Sequence, residues 1–300
     1  MHYYSLSQYL NDTYGCKVYK LALAGGTTCP NRDGTCGDKG CIFCSAKGAG
    51  NFASDNIGTL YEQIETAKLK IKAKTSADKF IAYFQSFSST YLPLDVLENK
   101  LLAAIRHPDV IAVSVATRPD CLPDKVLDLL ENLNKIKPIW VELGLQTIHE
   151  TSAEYIRRGY KLECFEKALT ELKKRNITTI VHMIIGLPNE TDSMILETAK
   201  YIGKSGASGI KFHLLHVLKD TDLEKDYKAQ KFKALELNHY AEILAECIKL
   251  LPKNLVVHRL TGDGDKRELV APLWSGDKKH VLNYINSYFD EINLVQGQNL

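Results

Sequence analysis

Short apolar runs alternate with amphipathic runs along most of this 300-residue sequence. The apolar runs are rich in β-branched and aromatic residues, which is typical of parallel strands covered on both faces. Six of them are strand-like, at residues 18–24, 80–85, 110–116, 138–145, 178–186 and 209–217. Helix-like runs lie between these strands, at residues 56–73, 92–107, 122–136, 162–176 and 190–206. From the second strand onward the repeat takes roughly 30–40 residues, which is the size of a βαβ unit.

This alternation predicts an α/β fold whose centre is a partial parallel (β/α)6 barrel. In such barrels ligands bind at the C-terminal ends of the strands. Polar residues of this chain are concentrated at those ends, in the segments 28–50, 85–91, 116–120, 144–147, 186–191 and 216–220. We therefore expect the functional site at that end of the barrel.

The pattern changes after residue 220. A long helix is predicted around residues 233–251, a strand at 254–260 and a terminal helix near 277–291. We divide the chain into an N-terminal segment (1–17), a barrel core (18–220) and a C-terminal α/β extension (221–300) that packs on the barrel.

The composition is that of an ordinary globular protein, with 45% hydrophobic and 25% charged residues. The net charge of +2 argues neither for nor against an RNA partner. No signal-peptide pattern and no apolar run of the ~18 residues needed to span a bilayer is found, so we predict a cytoplasmic protein without a membrane partner. A reducing cytoplasm disfavours disulfides, which makes metal or redox chemistry the better interpretation of clustered cysteines.

Such a cluster lies in residues 28–50, TCPNRDGTCGDKGCIFCSAKGAG, which contain Cys29, Cys36, Cys41 and Cys44. A zinc site would need Cys29 and Cys36, with six residues between them, as its second pair, and that is not a common knuckle. An iron–sulfur cluster is favoured, because thiolates hold it and a loop of small polar residues lets backbone amides turn toward the sulfides.

The segments CPNRDGT and GCIFC resemble the cluster loop of radical S-adenosylmethionine (SAM) enzymes, in the subgroup related to the Elongator catalytic subunit and to coproporphyrinogen dehydrogenase. The resemblance implies that Cys29, Cys41 and Cys44 hold a [4Fe–4S] cluster, with Phe43 as the aromatic residue of the motif beside the cofactor. Cys36 has no counterpart and is interpreted as a free thiol, with a fourth ligand as the alternative. A triad of Cys36, Cys41 and Cys44 is a second candidate ligand set.

The resemblance also implies the chemistry. Three thiolates leave one iron open, as catalytic metal sites do, and the amine and carboxylate of SAM bind there. One electron from the reduced cluster then cleaves SAM to methionine and a 5′-deoxyadenosyl radical, while the protein orients the cofactor and excludes water.

Residues 141–160 resemble a fourth-strand motif of the same family, ELGLQS…NRGH, with Arg157 in place of Asn and Tyr160 in place of His. This implies that Glu142 and Gln146 lie near the ribose and amine of SAM and that Arg158 meets its carboxylate. Without the cysteine loop, the simpler interpretations would be that Glu142 is a structural residue of the barrel and that Arg158 is a solvated charge on a helix. Residues 83–91 stand where the superfamily carries a GGE-like stretch, which implies Gln85 and Ser86 for the SAM ammonium, with a polar loop and an ordinary helix cap as the alternative. Ser114 and Thr117, after strand three, are candidates for the ribose or methionine. Residues 182–191 resemble the family's GLPGET turn, which implies that Ile185 and Gly186 pass the adenine, with a plain strand-to-helix turn as the alternative.

Candidate substrate contacts follow the third, fifth and sixth strands. They are Arg118, which could equally pair with Asp120 on the surface, and His182, Lys211 and His213, which could equally be satisfied core residues. Candidates for stacking and phosphate contacts with RNA are the tyrosines at residues 3, 4, 9 and 14 and the residues Arg259, Lys266, Arg267 and Trp274, although the aromatic ones could equally be core residues.

The closest resemblance is to the bacterial MnmL-type family. It implies action on the wobble uridine of tRNA, from carboxymethylaminomethyl-uridine to aminomethyl-uridine, with an electron donor such as flavodoxin or ferredoxin. Two alternatives stay open: a radical SAM enzyme acting on a small metabolite or tetrapyrrole, and a non-enzymatic zinc or iron–sulfur binding module.

Overall fold

The computed structural model describes residues 2–45, 48, 58–262 and 264–300. Parts of the cysteine segment (46, 47, 49 and 50), the first two residues of the first predicted helix (56–57) and residue 263 of the C-terminal extension lie outside the described residues. Seven parallel strands form one sheet in the order β1-β2-β3-β4-β5-β6-β8. The strands are β1 Val18–Ala24, β2 Lys79–Gln85, β3 Val110–Thr117, β4 Ile139–Gln146, β5 Thr178–Ile185, β6 Gly209–Leu214, β7 Val217–Leu218, β8 Val256–Arg259 and β9 Leu269–Ala271.

Helices cover the outer face of this sheet and bury their apolar sides against it. Their bounds are α1 Leu6–Tyr14, α2 Leu60–Ile71, α3 Leu94–Arg106, α4 Asp124–Asn134, α5 Glu150–Tyr155, α6 Leu162–Lys174, α7 Asp192–Lys204, α8 Asp222–Lys228, α9 Leu237–Lys249 and α10 Lys278–Glu291. Side-chain caps begin several of them: the Thr191 side chain accepts a hydrogen bond from the Met194 N–H at the start of α7, and Thr59 with Glu62 forms a capping box on α2. None of the helices in the described ranges combines the length and apolarity that a membrane crossing requires.

The sheet curls into an open barrel, which confirms the predicted fold class. Lys20 of the edge strand β1 reaches both the central strand and the opposite edge of the sheet: its Nζ lies 2.5 Å from Glu142 Oε1 on β4 and 3.4 Å from His258 Nδ1 on β8. A flat sheet would hold β1 and β8 far apart, because five strands separate them. These contacts therefore require the curvature of a partial barrel.

The barrel has one strand more than the six predicted. β8, from the C-terminal extension, pairs in parallel with β6. The register shifts between Ile210 and Lys211 of β6. Ile210 pairs with Val257 and Lys211 with Arg259, so His258 is a bulged residue without a partner on β6. This bulge lets two consecutive residues, His258 and Arg259, approach the interior, where regular alternation would admit only one.

The N-terminal helix α1 closes the bottom of the barrel. Its Leu10 packs with Trp140 and three other residues from the N-terminal halves of β2 to β5, and Tyr9 and Tyr14 pack against the same cluster. Of the two alternatives for the N-terminal tyrosines, packing against the core is the one that Tyr9 and Tyr14 show, at the end of the barrel opposite the strand C-termini.

Candidate functional site

The cysteine loop follows β1 and is held by its own polar side chains. Asn31 Nδ2 donates to the backbone carbonyl of Arg157 (2.6 Å) and approaches Cys41 Sγ (3.7 Å). Arg32 NH2 donates to the carbonyls of Cys44 (2.8 Å) and Ser45 (2.7 Å). The Asn and Arg of CPNRDG thus fix the loop, a role that sequence reasoning did not assign to them.

The thiols of Cys29, Cys41 and Cys44 lie close enough to influence one another. Burial, with the nearby Cys44 and Cys29 thiols, raises the pKa of Cys41 to about 12. Burial also raises the pKa of Cys44, while Arg32 opposes that rise. A metal must therefore displace protons from these two thiols when it binds.

All four cysteines of the loop belong to the described residues, and no three of their sulfurs lie within 4.8 Å of one another. A tetrahedral zinc ion would bring its sulfurs to about 3.8 Å from one another, so the loop is not closed around a single ion in this structure.

Cys36 stands apart from the other three. Its side chain is exposed, and its Sγ lies 3.9 Å from Asp120 Oδ2. Burial and the Asp120 carboxylate raise the pKa of Cys36. A thiol beside a carboxylate is a poor candidate ligand, because the negative charge opposes the thiolate.

Three of the predicted SAM contacts occupy unusual backbone conformations at the strand ends. Ser86 directly follows β2 with φ 81°, Gln146 ends β4 with φ 71°, and Gly186 directly follows β5 with φ 92°. Positive φ is uncommon for residues other than glycine and is often found at binding sites. The preceding Gly144 leaves room for the Gln146 amide, since a Cβ there would lie 3.1 Å from Gln146 Nε2.

Arg158 fixes the conformation of Gln146. It is 2% exposed, and its NH1 donates to the carbonyls on both sides of Gln146, at Leu145 (3.1 Å) and Thr147 (2.6 Å). Its Nε donates to the Tyr160 carbonyl (3.0 Å), and its NH2 to Glu150 Oε1 (3.1 Å). Four of its five N–H groups are engaged in this way, which leaves one for a ligand.

The neighbouring arginines are also committed to protein partners. Arg157 pairs with Asp222 at 2.5 Å, away from β4. Arg118 forms a fork with Asp120 (2.9 and 2.6 Å) and donates to the Arg158 carbonyl (2.8 Å). The ion-pair alternative for Arg118 is therefore what the structure contains, although the side chain is buried and not on the surface.

Other predicted residues divide between the two faces of their strands. Ser114 faces the interior and donates to Glu142 Oε1 (3.0 Å), whereas Thr117, three residues later, bonds to Thr90 Oγ1 (2.6 Å) in the outer layer. Ile185 is fully buried in the main core, so only its backbone can meet an adenine. The Gln85 carbonyl accepts a hydrogen bond from the Gly25 N–H (3.1 Å), and Phe43 packs at the edge of a small core below the cysteine loop.

Glu142 is the centre of a buried polar network inside the barrel. Its Oε2 accepts from Lys211 Nζ (2.7 Å) and lies 2.8 Å from His182 Nε2. The Lys20 and Lys211 charges hold the pKa of Glu142 well below its usual range, against the opposing effect of burial. Glu142 lies four residues before Gln146, about 13 Å deeper along the strand, so the two would meet different parts of a bound SAM; both contacts stay predictions.

Residues 27–202 match the family described as the Radical SAM superfamily, and residues 207–291 match the Radical_SAM C-terminal domain. The first match alone covers more than half of the chain. The chain belongs to the radical SAM superfamily.

Relatives of this radical SAM chain include the uncharacterized protein YtqA of Bacillus subtilis, 41% identical over 99% of this chain and 92% of that protein. YhcC of Escherichia coli is 34% identical over 97% of this chain and 93% of its own length. A tRNA uridine(34) acetyltransferase of Methanocaldococcus jannaschii is 26% identical over 51% of this chain and 28% of its own length.

Among solved structures, archaeal Methanocaldococcus infernus Elp3 with an N-terminal deletion has a TM-score of 0.71 at 18% identity. The match covers 93% of this chain and 64% of the Elp3 chain, so this chain spans less than two thirds of it. The likeness concerns the fold.

Radical SAM enzymes use a [4Fe–4S] cluster and SAM, and these are the cofactors of this enzyme. The residues present fit both. The thiols of Cys29, Cys41 and Cys44 come together after β1, and the ends of β2, β4 and β5, where the backbone takes positive φ, lie at the same end of the barrel. Sequence reasoning missed the interior residues Lys20, Tyr83 and His258, whose single signal was a polar residue within an apolar run, and it expected Arg259 to contact RNA phosphate.

Proposed function

We propose that this radical SAM enzyme modifies the wobble uridine of tRNA and converts carboxymethylaminomethyl-uridine to aminomethyl-uridine. The observation that carries the proposal is the similarity to a tRNA uridine(34) acetyltransferase, since position 34 is the wobble position. The wobble base is already single-stranded in the anticodon loop, so bringing it to the open end of a barrel costs little compared with flipping a paired base.

In this proposal Cys29, Cys41 and Cys44 are the cluster ligands, and Cys36 is not. The exposed position of Cys36 beside Asp120 supports its exclusion. When bound, the cluster would supply one electron, taken from a flavodoxin or ferredoxin, for the cleavage of SAM to methionine and a 5′-deoxyadenosyl radical.

SAM would lie across the strand ends near Ser86, Gln146 and Gly186. Arg158 acts here as a positioning residue, because it bonds the carbonyls on both sides of Gln146. Its remaining N–H group is available for the carboxylate of SAM, which keeps the predicted contact as part of the proposal.

The substrate reaction removes the two-carbon carboxymethyl group. A hydrogen atom leaves the CH₂ between the amine and the carboxylate, and transfer of one electron from the resulting carbon radical to an oxidised ferredoxin or flavodoxin gives an iminium ion. Water adds to its carbon, and cleavage of the C–N bond releases the aminomethyl-uridine and glyoxylate. The protein's part is to hold the CH₂ and to limit the access of water until the iminium forms.

Deuterium transfer tests this function. Reduced enzyme and SAM are incubated with tRNA that carries carboxymethylaminomethyl-uridine deuterated at the carboxymethyl CH₂. We expect the aminomethyl nucleoside, glyoxylate and deuterium in 5′-deoxyadenosine, all measured by mass spectrometry. Normal SAM cleavage with unchanged tRNA would reject the substrate while leaving the enzyme class intact.

The ligand set is tested separately by four variants. Cys29→Ala, Cys41→Ala and Cys44→Ala should each lose bound iron and the absorbance near 400 nm, whereas Cys36→Ala, the matched control, should keep both. A colourless Cys36→Ala protein beside a brown Cys29→Ala protein would favour the triad of Cys36, Cys41 and Cys44.

A further inference from the structure

The polar network inside the barrel carries more positive than negative charge. The contacts described above connect Lys20 and Lys211 to Glu142, and Arg259 joins the network through His213. Three basic side chains therefore meet one carboxylate among these residues. Buried charge without a counter-charge is costly, so this arrangement favours the binding of an anion.

Arg259 is the cation without a carboxylate. Its NH2 donates to His213 Nδ1 at 2.6 Å, and no acidic side chain forms a salt bridge with it within residues 2–45, 58–262 and 264–300. Its Nε is buried and has no hydrogen-bond partner. A guanidinium stays charged at any physiological pH, so it cannot lose a proton to relieve this cost.

His213 adds a second donor beside this guanidinium. Because Nδ1 accepts from Arg259, a neutral His213 carries its proton on Nε2, and that atom is also buried without a hydrogen-bond partner. Two unsatisfied buried donors on neighbouring side chains are uncommon in native proteins and call for a ligand. A carboxylate, with two acceptor oxygens, could satisfy both.

The charge of Arg259 contributes to lowering the pKa values of neighbouring basic groups. Burial lowers the pKa of Lys211 to about 7, with Glu142 opposing the shift and with Arg259 and Lys20 adding to it. Burial and the Arg259 charge also hold the pKa of His213 well below its usual range. An anion next to Arg259 would offset this repulsion.

We propose that Arg259 and His213 form the subsite for the carboxylate of the substrate. This inference rests on the proposed function and names the group of the wobble substituent that selects it. His213 lies one residue before the end of β6, and Arg259 is the last residue of β8, so the pair faces the interior just below the barrel rim. A substituent of a base can enter there, whereas an RNA phosphate is tied to the backbone on both sides. In this proposal Arg259 contacts the carboxylate of the substituent and not the RNA phosphate expected from the sequence.

A binding comparison tests the subsite. Reconstituted enzyme with SAM is titrated with two anticodon stem-loop RNAs, one with carboxymethylaminomethyl-uridine and one with aminomethyl-uridine. The wild type should bind the first at least tenfold more tightly. The ratio should fall to about one in Arg259→Gln and recover in part in Arg259→Lys, which keeps the charge but not the fork.

Arg267→Gln is the matched control, because its side chain is 83% exposed and its loss also removes one positive charge. This variant should bind both RNAs more weakly by the same factor and leave the ratio of the two affinities unchanged. Thermal unfolding reports whether each variant folds. If Arg259→Gln does not fold, His213→Phe, which removes the second donor, should lower the ratio at least threefold.

Three outcomes overturn the subsite. A tenfold ratio that persists in folded Arg259→Gln removes the residue from carboxylate recognition. A ratio near one in the wild type shows that the carboxylate is not recognised. A loss of SAM affinity in Arg259→Gln, with the RNA ratio intact, means that the anion is the carboxylate of SAM.

A second probe separates this inference from the proposed function. N-benzylglycine and its neutral amide, N-benzylglycinamide, carry the carboxymethylamine without RNA. If neither RNA binds, the tRNA proposal fails. The subsite then stands if only the carboxylate raises the melting temperature of the wild type and neither compound raises that of Arg259→Gln; equal shifts in both proteins reject it.

Discussion

The interior of the barrel contains two successive layers of side chains that differ sharply in polarity. The lower layer is Ile81, Ala112, Trp140 and Ile180, sealed below by Leu10 of α1. The upper layer is Tyr83, Ser114, Glu142 and His182, two residues further along the same four strands. Because strand side chains alternate, this step of two keeps the same face and changes only the depth. Burial is similar in both layers, so burial does not explain the difference in polarity. The polar layer is the one nearer the C-terminal ends of the strands.

Trp140→Ala should produce the largest loss of stability, about 4 kcal/mol, because it opens a cavity in the sealed layer. Guanidinium denaturation measures the loss, with Trp140→Phe as a milder control. The affinity for SAM should stay within twofold of the wild type when measured on folded protein. A large loss of SAM affinity without a loss of stability would make the lower layer part of the site.

Glu142→Gln should cost about 3 kcal/mol, because it leaves the buried Lys20 and Lys211 without their counter-charge. The double variant Glu142→Gln/Lys211→Met should recover part of that loss, since it also removes one buried cation. A double-mutant cycle of unfolding free energies measures the coupling. Additivity within about 0.5 kcal/mol would show that the charges do not interact.

His182→Gln should change the pH dependence of stability. Burial, with the Lys211 charge, lowers the pKa of His182 to about 4. The unfolded chain takes up this proton below about pH 6.5, whereas the folded protein takes it up only near pH 4. The free energy of unfolding therefore falls as the pH is lowered through this window, by at most about 3 kcal/mol from this group.

Glutamine can keep the hydrogen bond to Glu142 but cannot titrate in this range. We expect the slope of stability against pH between 6.5 and 4 to be smaller in His182→Gln than in the wild type, with little difference at pH 8. Identical slopes in urea denaturation series would assign the effect to other groups.

Two single substitutions, one in each layer, should give the smallest changes in the free energy of unfolding. Ser114→Ala removes a hydrogen bond to Glu142 and should cost about 1 kcal/mol. Ala112→Ser, one layer lower, places a hydroxyl among apolar side chains and should cost at least as much. A stabilising Ala112→Ser would contradict the view that the lower layer is apolar throughout.

Most of the fold was predictable from the sequence, because apolar runs and helix periodicity are local. β1 was predicted at its observed bounds, and the other barrel strands within three residues at each end. The place of β8 in the sheet was not predictable, since its pairing with β6 joins distant segments and involves a bulge that leaves no local pattern. The boundary proposed near residue 220 stays a prediction.

The candidate site was predictable where a compact motif exists and not where residues assemble across the barrel. The cysteine loop and the unusual turn at Gln146 lie in short recognisable segments. Lys20 and Arg259 occur singly within strands, and only the three-dimensional structure brings them to Glu142 and His213. The ligand roles assigned to the cysteines and to the SAM contacts stay predictions that the experiments above address.

The contact between Lys20 and His258 joins positions 238 residues apart, so it has a consequence for synthesis on the ribosome. Most of the barrel strands emerge from the ribosome long before β8. Until β8 emerges, the interior lacks this strand and the side chains that it contributes. Lys20 can meet Glu142 earlier, across 122 residues, but His258 and Arg259 join the interior only once β8 has been made. Contacts of such long sequence separation slow folding and leave a partly open sheet exposed in the nascent protein. During synthesis in the cell, the barrel of this enzyme can therefore close only after the ribosome has translated β8.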